Sequence, residues 1–144
     1  MKKWLSLLII LIIAGTDSSF SAGANRPFPD EARIYFKNWF YLRRAGPSEA
    51  AVRQNPDIFI RITGAGEINR LKNLLTTNLI QFDGNVRSVN MVIDFLSNGQ
   101  IVETYILNKF AFQRVGSDTI YQTPEILLQR YTLIDLFDNR TRQF

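Results

Sequence analysis

Residues 89–107 read VNMVIDFLSNGQIVETYIL, and this stretch decides the fold. Val89, Met91, Ile93 and Phe95 alternate with Asn90, Val92 and Asp94, the period of two that puts successive side chains on opposite faces of a strand. Asn98-Gly99 follows, and both residues tolerate the positive φ of a type I′ turn. Ile101 to Leu107 is then the returning strand. Counted out from the turn, Asp94 and Glu103 come close together across the hairpin. A tight hairpin of this kind makes the surrounding sheet antiparallel.

The same punctuation recurs on either side. Downstream, 110–115 and 119–121 form a second hairpin about Gly116-Ser117-Asp118. Thr123-Pro124-Glu125 then reads as N-cap, first-turn proline and first-turn acid of a helix carrying Ile126, Leu127, Tyr131, Ile134 and Phe137. Upstream, Ile68, Leu71, Leu74, Leu75 and Leu79 repeat at helical spacing behind the Gly64-Ala65-Gly66 turn. Before that turn, Ile58, Ile60 and Ile62 share one strand face and Asp57, Phe59 and Arg61 the other. Pro47-Ser48 opens a two-turn helix over Glu49–Arg53, and Pro56 closes it. Ala32 to Leu42, dense in Ile, Tyr, Phe and Trp, reads as the first strand.

The order is β-α-β-α-β-β-β-β-α, with no internal repeat and no linker. It predicts an α+β fold: a mainly antiparallel twisted sheet of about five or six strands, with two or three helices packed on one face. Such a layer leaves the other sheet face open to a partner.

The first residues indicate a compartment. Met1-Lys2-Lys3 is cationic, Trp4 to Ala14 is apolar apart from Ser6, and Ala22-Gly23-Ala24 fits a signal-peptidase site. Residues 1–24 are therefore expected to be a cleavable signal peptide, and 25–144 a single α+β domain, periplasmic or secreted. The apolar run falls short of the roughly twenty residues that span a bilayer. No cysteine stands near the cleavage site to carry a lipid.

Composition narrows the chemistry. The chain has neither His nor Cys, so no Ser-His or Cys-His pair, no His base and no ordinary zinc or copper site can form. Enzymatic activity, a metal and a cofactor are therefore not expected. Gly64-Ala65-Gly66 lacks the third glycine of a dinucleotide fingerprint, since Asn69 stands there, and no Walker lysine follows. Residues 25–144 hold twelve Arg and three Lys against twelve Asp and Glu. That mild imbalance gives no basic stripe for nucleic acid.

What stands out is a run of aromatic and arginine residues. Tyr35, Trp39, Tyr41, Arg43 and Arg44 are the candidate partner-binding residues, because Tyr, Trp and Arg dominate interface energetics. With Ile34, Phe36, Asn38 and Phe40 turned to the helices, Tyr35, Trp39 and Tyr41 would line the open face. The expected function is a small exported protein-binding module of the inhibitor or immunity type, with another protein or a second copy as partner. The alternatives are a small-ligand carrier with a cavity between sheet and helices, and a glycosidase using Asp94 and Glu103 as its carboxylate pair.

Overall fold

A computed structural model describes residues 28–38 and 46–131. In chain order the elements are β1 (Glu31–Phe36), α1 (Glu49–Gln54), β2 (Ile58–Ile62), α2 (Ala65–Thr76), β3 (Met91–Ser97), β4 (Gln100–Leu107), β5 (Ala111–Arg114), β6 (Ile120–Gln122) and α3 (Glu125–Tyr131). The six strands form one sheet in the order β2-β1-β3-β4-β5-β6, and every neighbouring pair is antiparallel. This is the α+β architecture that the alternation and turn signals predict. Because β1 runs antiparallel to both neighbours, β2 and β3 run parallel with β1 between them. Parallel strands need a crossover, and α2 lies on that connection.

One sheet face holds the main core. Ala32, Ile34 and Phe36 of β1, Met91, Ile93 and Phe95 of β3, and Tyr105 and Leu107 of β4 pack there against Ile68, Leu71 and Leu75 of α2 and Leu127, Leu128 and Tyr131 of α3. Each fully buried apolar side chain of this size contributes roughly 1.5–3 kcal/mol. The two helices are also fastened to each other. Arg130 on α3 donates to Glu67 on α2 at 2.8 and 3.0 Å, and the Tyr131 hydroxyl donates to the same carboxylate at 2.5 Å. Arg130 first, then Tyr131, hold the Glu67 carboxyl below its ordinary range.

Burial, and next the Glu67 carboxylate, push the Tyr131 phenol up from 10 to about 12. The neutral phenol is the form the fold prefers, so its contribution is complete below pH 10 and lost as pH rises through about 12. Tyr131→Phe should therefore remove part of the alkaline fall in stability. Urea midpoints of both proteins measured across that window check this, and parallel curves would contradict it.

The remaining helix, α1, goes to the other face, which is therefore partly covered and not left open as the sequence pattern expects. Val52 of α1 packs with Val89 and Val92, and with the half-buried Tyr35, Val86 and Ile106. All of β3 is thereby buried on both faces. Val89 belongs to this second cluster instead of continuing the alternation of Met91, Ile93 and Phe95, because β3 begins only at Met91. Ser48 caps α1 by accepting from the Ala51 N–H at 3.3 Å.

Several boundaries differ from the sequence pattern. β1 stops at Phe36, short of Leu42; Asn38 N–H donates to the Asp57 carboxylate at 2.8 Å instead of extending the strand. α2 ends at Thr76, so Leu79 reaches the core from the loop beyond it. The Thr123 hydroxyl donates to the Asn108 carbonyl at 2.9 Å. Ile134 and Phe137 lie outside the described residues, as do residues 1–24.

The hairpin turn is as expected: Asn98 and Gly99 have φ of 52° and 77°, and Ser97 faces Gln100. One step further the register shifts. Leu96 faces Ile101, but Phe95 faces Glu103, leaving Val102 as the extra residue of a β-bulge. The two edges of the sheet also differ. Gln81 bridges Tyr121, with Phe82 N–H donating to Ile120 O and Gln122 N–H to Ile80 O, so the β6 edge is covered. Among the described residues β2 pairs with β1 alone.

Candidate functional site

The outer face of β1 and β2 gathers aromatic and charged side chains. The register sets Tyr35 opposite Phe59 and Arg33 opposite Arg61, while their neighbours Ile34, Ile60 and Ile62 turn to the core. The Tyr35 and Phe59 rings meet with centroids 5.1 Å apart at 42°. Tyr35 leans into the cluster under α1, whereas Phe59 is 52% exposed.

Two arginines directly opposite each other repel, and Glu31 resolves the conflict. Its carboxylate accepts from Arg33 Nε at 2.5 Å and from Arg61 Nη2 at 2.7 Å. Arg61, then Arg33, hold that carboxyl below its ordinary value, and Glu31 in turn raises Arg33. The result is an aromatic pair with two permanently cationic guanidinium groups beside it, one on β1 and one on the edge strand β2. Such groups pair bidentately with carboxylates and stack on rings.

The inner border of this patch is held by a buried ion pair. Asp94 on β3, 1% exposed, stands opposite Arg33 of the adjacent strand β1 and accepts from Arg53 Nε at 2.9 Å and Nη2 at 2.8 Å. The Thr104 hydroxyl donates to it at 2.7 Å, and Glu49 holds the far side of the Arg53 guanidinium at 2.5 Å. Asp94 first, and Glu49 after it, push Arg53 well above the ordinary arginine range. The fork pins α1 across the sheet beside Tyr35.

Glu103 is elsewhere. The bulge at Val102 turns it to the helix face, where it pairs with Lys72 at 3.1 Å and Arg114 at 3.0 Å. Without that extra residue Asp94 and Glu103 would be directly opposed on one face, as counting from the turn expects. In the structure they occupy opposite faces of the sheet, so they cannot flank one glycosidic bond. A shift of one residue exchanges the faces of every side chain beyond it.

Two hollows bear on a small ligand. One of about 250 Å³ lies between sheet and helix and is lined by Leu75, Leu79, Glu103, Tyr105 and Tyr121. A larger cleft of about 500 Å³ opens at the end of the sheet, between the 82–90 loop and the β4–β5 turn. Phe82 and Phe110 are among its lining residues, with Asp83, Arg87, Asn90 and Lys109. Arg87 bonds only Asn85, at 2.9 Å, and Lys109 lies 6.0 Å from the Phe110 ring, so neither cation has a carboxylate partner among the described residues.

Gly64-Ala65-Gly66 is a plain strand-to-helix turn. Gly64 has φ −78°, and a Cβ on Gly64 or Gly66 would meet nothing within 4 Å. The acidic Glu67 already occupies the first turn of α2. Among the described residues no cluster of acidic side chains could hold a metal ion, and no helix is long and apolar enough to cross a membrane.

Of the residues singled out by sequence, Tyr35 lies on the outer face; Trp39, Tyr41, Arg43 and Arg44 lie outside the described residues. The structure adds Phe59, Arg61, Arg33 and Glu31. Alternation in β2 already separates Phe59 and Arg61 from the isoleucines. It carries no information that β2 is the neighbour of β1, and that pairing is what brings the rings together. Comparison with protein-family models, with curated proteins and with solved structures finds no match.

Proposed function

We propose that this chain is a small exported protein-binding module that acts through the outer face of β1 and β2. One observation carries the reading: Phe59, on the edge strand β2, is half exposed, in tilted ring contact with Tyr35, and next along the outer face to the opposed pair Arg33 and Arg61. An aromatic anchor beside arginines is the composition of an interface hot spot. An acidic side chain of a partner would meet the Arg61 N–H groups that Glu31 does not occupy, and an apolar one the Phe59 ring. The sequence supports the compartment through residues 1–24, and the absence of His and Cys leaves binding as the simplest activity. A periplasmic inhibitor or immunity protein has this profile, since its task is to occlude.

Affinity purification from the native envelope, with wild type and Phe59→Ala as parallel baits, tests the reading. A genuine partner should bind the variant about thirtyfold more weakly, the loss of roughly 2 kcal/mol typical of a hot spot. Every co-purifying protein held equally by both baits would defeat it.

A second reading, small-ligand binding, is favoured by the 500 Å³ cleft, whose volume lies in the ordinary range of ligand pockets. Aromatic walls with two uncompensated cations suit an anion with a flat apolar body. Titration calorimetry with naphthalene sulfonate should give saturable binding that Arg87→Ala with Lys109→Ala abolishes. No saturable heat, or heat unchanged in the double variant, would set the cleft aside.

A further inference from the structure

We propose that β2 pairs antiparallel, edge to edge, with β2 of a second copy of this chain, with Phe59 on the two-fold axis. An exposed edge strand is a template for another strand, and proteins that stay monomeric usually blunt it with proline, lysine, a bulge or a cover. The β6 edge has its cover in residues 80–82. The β2 edge has no proline or lysine from Asp57 to Thr63, and its register with β1 runs without a shift.

The occupant follows from charge complementarity. Asp57-Ile58-Phe59-Ile60-Arg61 is a charge palindrome. Laid antiparallel on itself about Phe59, it sets Asp57 opposite Arg61, Ile58 opposite Ile60, and Phe59 opposite Phe59. Both ends of the contact then carry an ion pair, as an isologous interface requires. Other two-fold registers lose this: centring on Asp57 or Arg61 opposes like charges, and centring on Ile58 or Ile60 leaves Arg61 without an acid opposite it.

The side chains have room for it. The Arg61 side chain is 61% exposed, and that of Asp57 34%. Asp57 already accepts from Lys37 at 3.1 Å and from Asn38 N–H, and a carboxylate has capacity for another donor. On the outer face the pairing would align Arg33 and Arg61, which Glu31 bridges, with Asp57 and then Lys37 of the second copy, so that the opposed arginines gain a second carboxylate. Between those two rows Tyr35 and Phe59 would continue into Phe59 and Tyr35 of the second copy, at the roughly 4.8 Å spacing of neighbouring strands. On the inner face the half-buried Ile58 and Ile60 would cover each other. Edge pairing leaves the outer face open, so the dimer offers two copies of the proposed binding patch side by side.

Sedimentation equilibrium of the full protein tests the pairing. Wild type should approach twice the chain mass as concentration rises. Asp57→Arg alone and Arg61→Asp alone each oppose like charges at both ends, and each should weaken self-association at least about tenfold, since such juxtaposition is strongly unfavourable. An equimolar mixture of the D57R and R61D chains restores both ion pairs and should recover the dimer, a rescue that a folding defect cannot imitate. A wild type that stays monomeric, variants that dimerise as well as wild type, or a mixture that stays monomeric would each overturn the proposal. The D57R monomer keeps Phe59, Arg33 and Arg61, so Phe59-dependent capture of a partner by that monomer would show the binding face surviving the loss of the dimer.

Discussion

Arg53→Leu should lower the stability of the fold by about 3 kcal/mol. The change removes the fork that satisfies Asp94 and leaves a buried carboxylate with the Thr104 hydroxyl as its remaining donor among the described residues. Breaking one side of a buried ion pair costs roughly 3–5 kcal/mol. The lower end applies because the Arg53 side chain keeps 27% of its exposure, so water reaches the site once the guanidinium is gone. Pairing the change with Asp94→Leu should recover most of the loss, because the stranded charge leaves with its partner. Urea denaturation of the single and double variants checks both statements. A single variant within 0.5 kcal/mol of wild type, about the scatter for surface substitutions, would show that α1 is held by Val52 alone. The consequence is local: α1 packs with Tyr35, so its detachment would loosen the inner border of the proposed binding face.

Phe95→Ala should cost about 3–5 kcal/mol, the range for deleting a large aromatic from a core. Phe95 is fully buried on the central strand β3, meets the Tyr105 ring edge-on at 6.0 Å, and lies beneath the Lys72 ammonium at 5.7 Å. Flanking strands and α2 leave the cavity little room to collapse. Phe59→Ala deletes the same ring from the outer face and should cost about 1 kcal/mol or less, because half of that ring is already in water and only its contact with Tyr35 is lost. Partner binding should rank the two oppositely, with Phe59→Ala the damaging change in the molecules that remain folded. Denaturation curves beside binding isotherms read both orders. Equal stability losses would mean that Phe59 belongs to the core, and the binding face would lose its anchor.

The candidate site was partly legible because alternation is a local property. Ile34 and Phe36 facing the helices sends Tyr35 to the other face, and the same rule separates Phe59 and Arg61 from Ile58, Ile60 and Ile62. Glu31 and Arg33 carried no such signal, since their role depends on Arg61 being brought across from β2. The position of Asp94 was misleading for a related reason. Its partner on α1, Arg53, is 41 residues away, beyond any spacing rule, and its partner on β4, Thr104, is opposite it only because of the bulge.

By itself the sequence determined the elements and their hand-to-hand order along the chain. Apolar residues at a period of two or near 3.6, Asn98-Gly99 with positive φ, and proline beside α1 and α3 act over a few residues, so their consequences are written where they stand. Tertiary structure decided three things. It chose the outer face for α1, because Val52 and Arg53 together find Val92 and Asp94 there. It inserted Val102 as a bulge, which turned Glu103 inward to Lys72 and Arg114 and parted it from Asp94. It placed β2 at the edge beside β1, which brought Phe59 into ring contact with Tyr35 on the outer face. Each of these is settled by burial and ion pairing between segments distant in sequence, and those energies exist only once the sheet has formed.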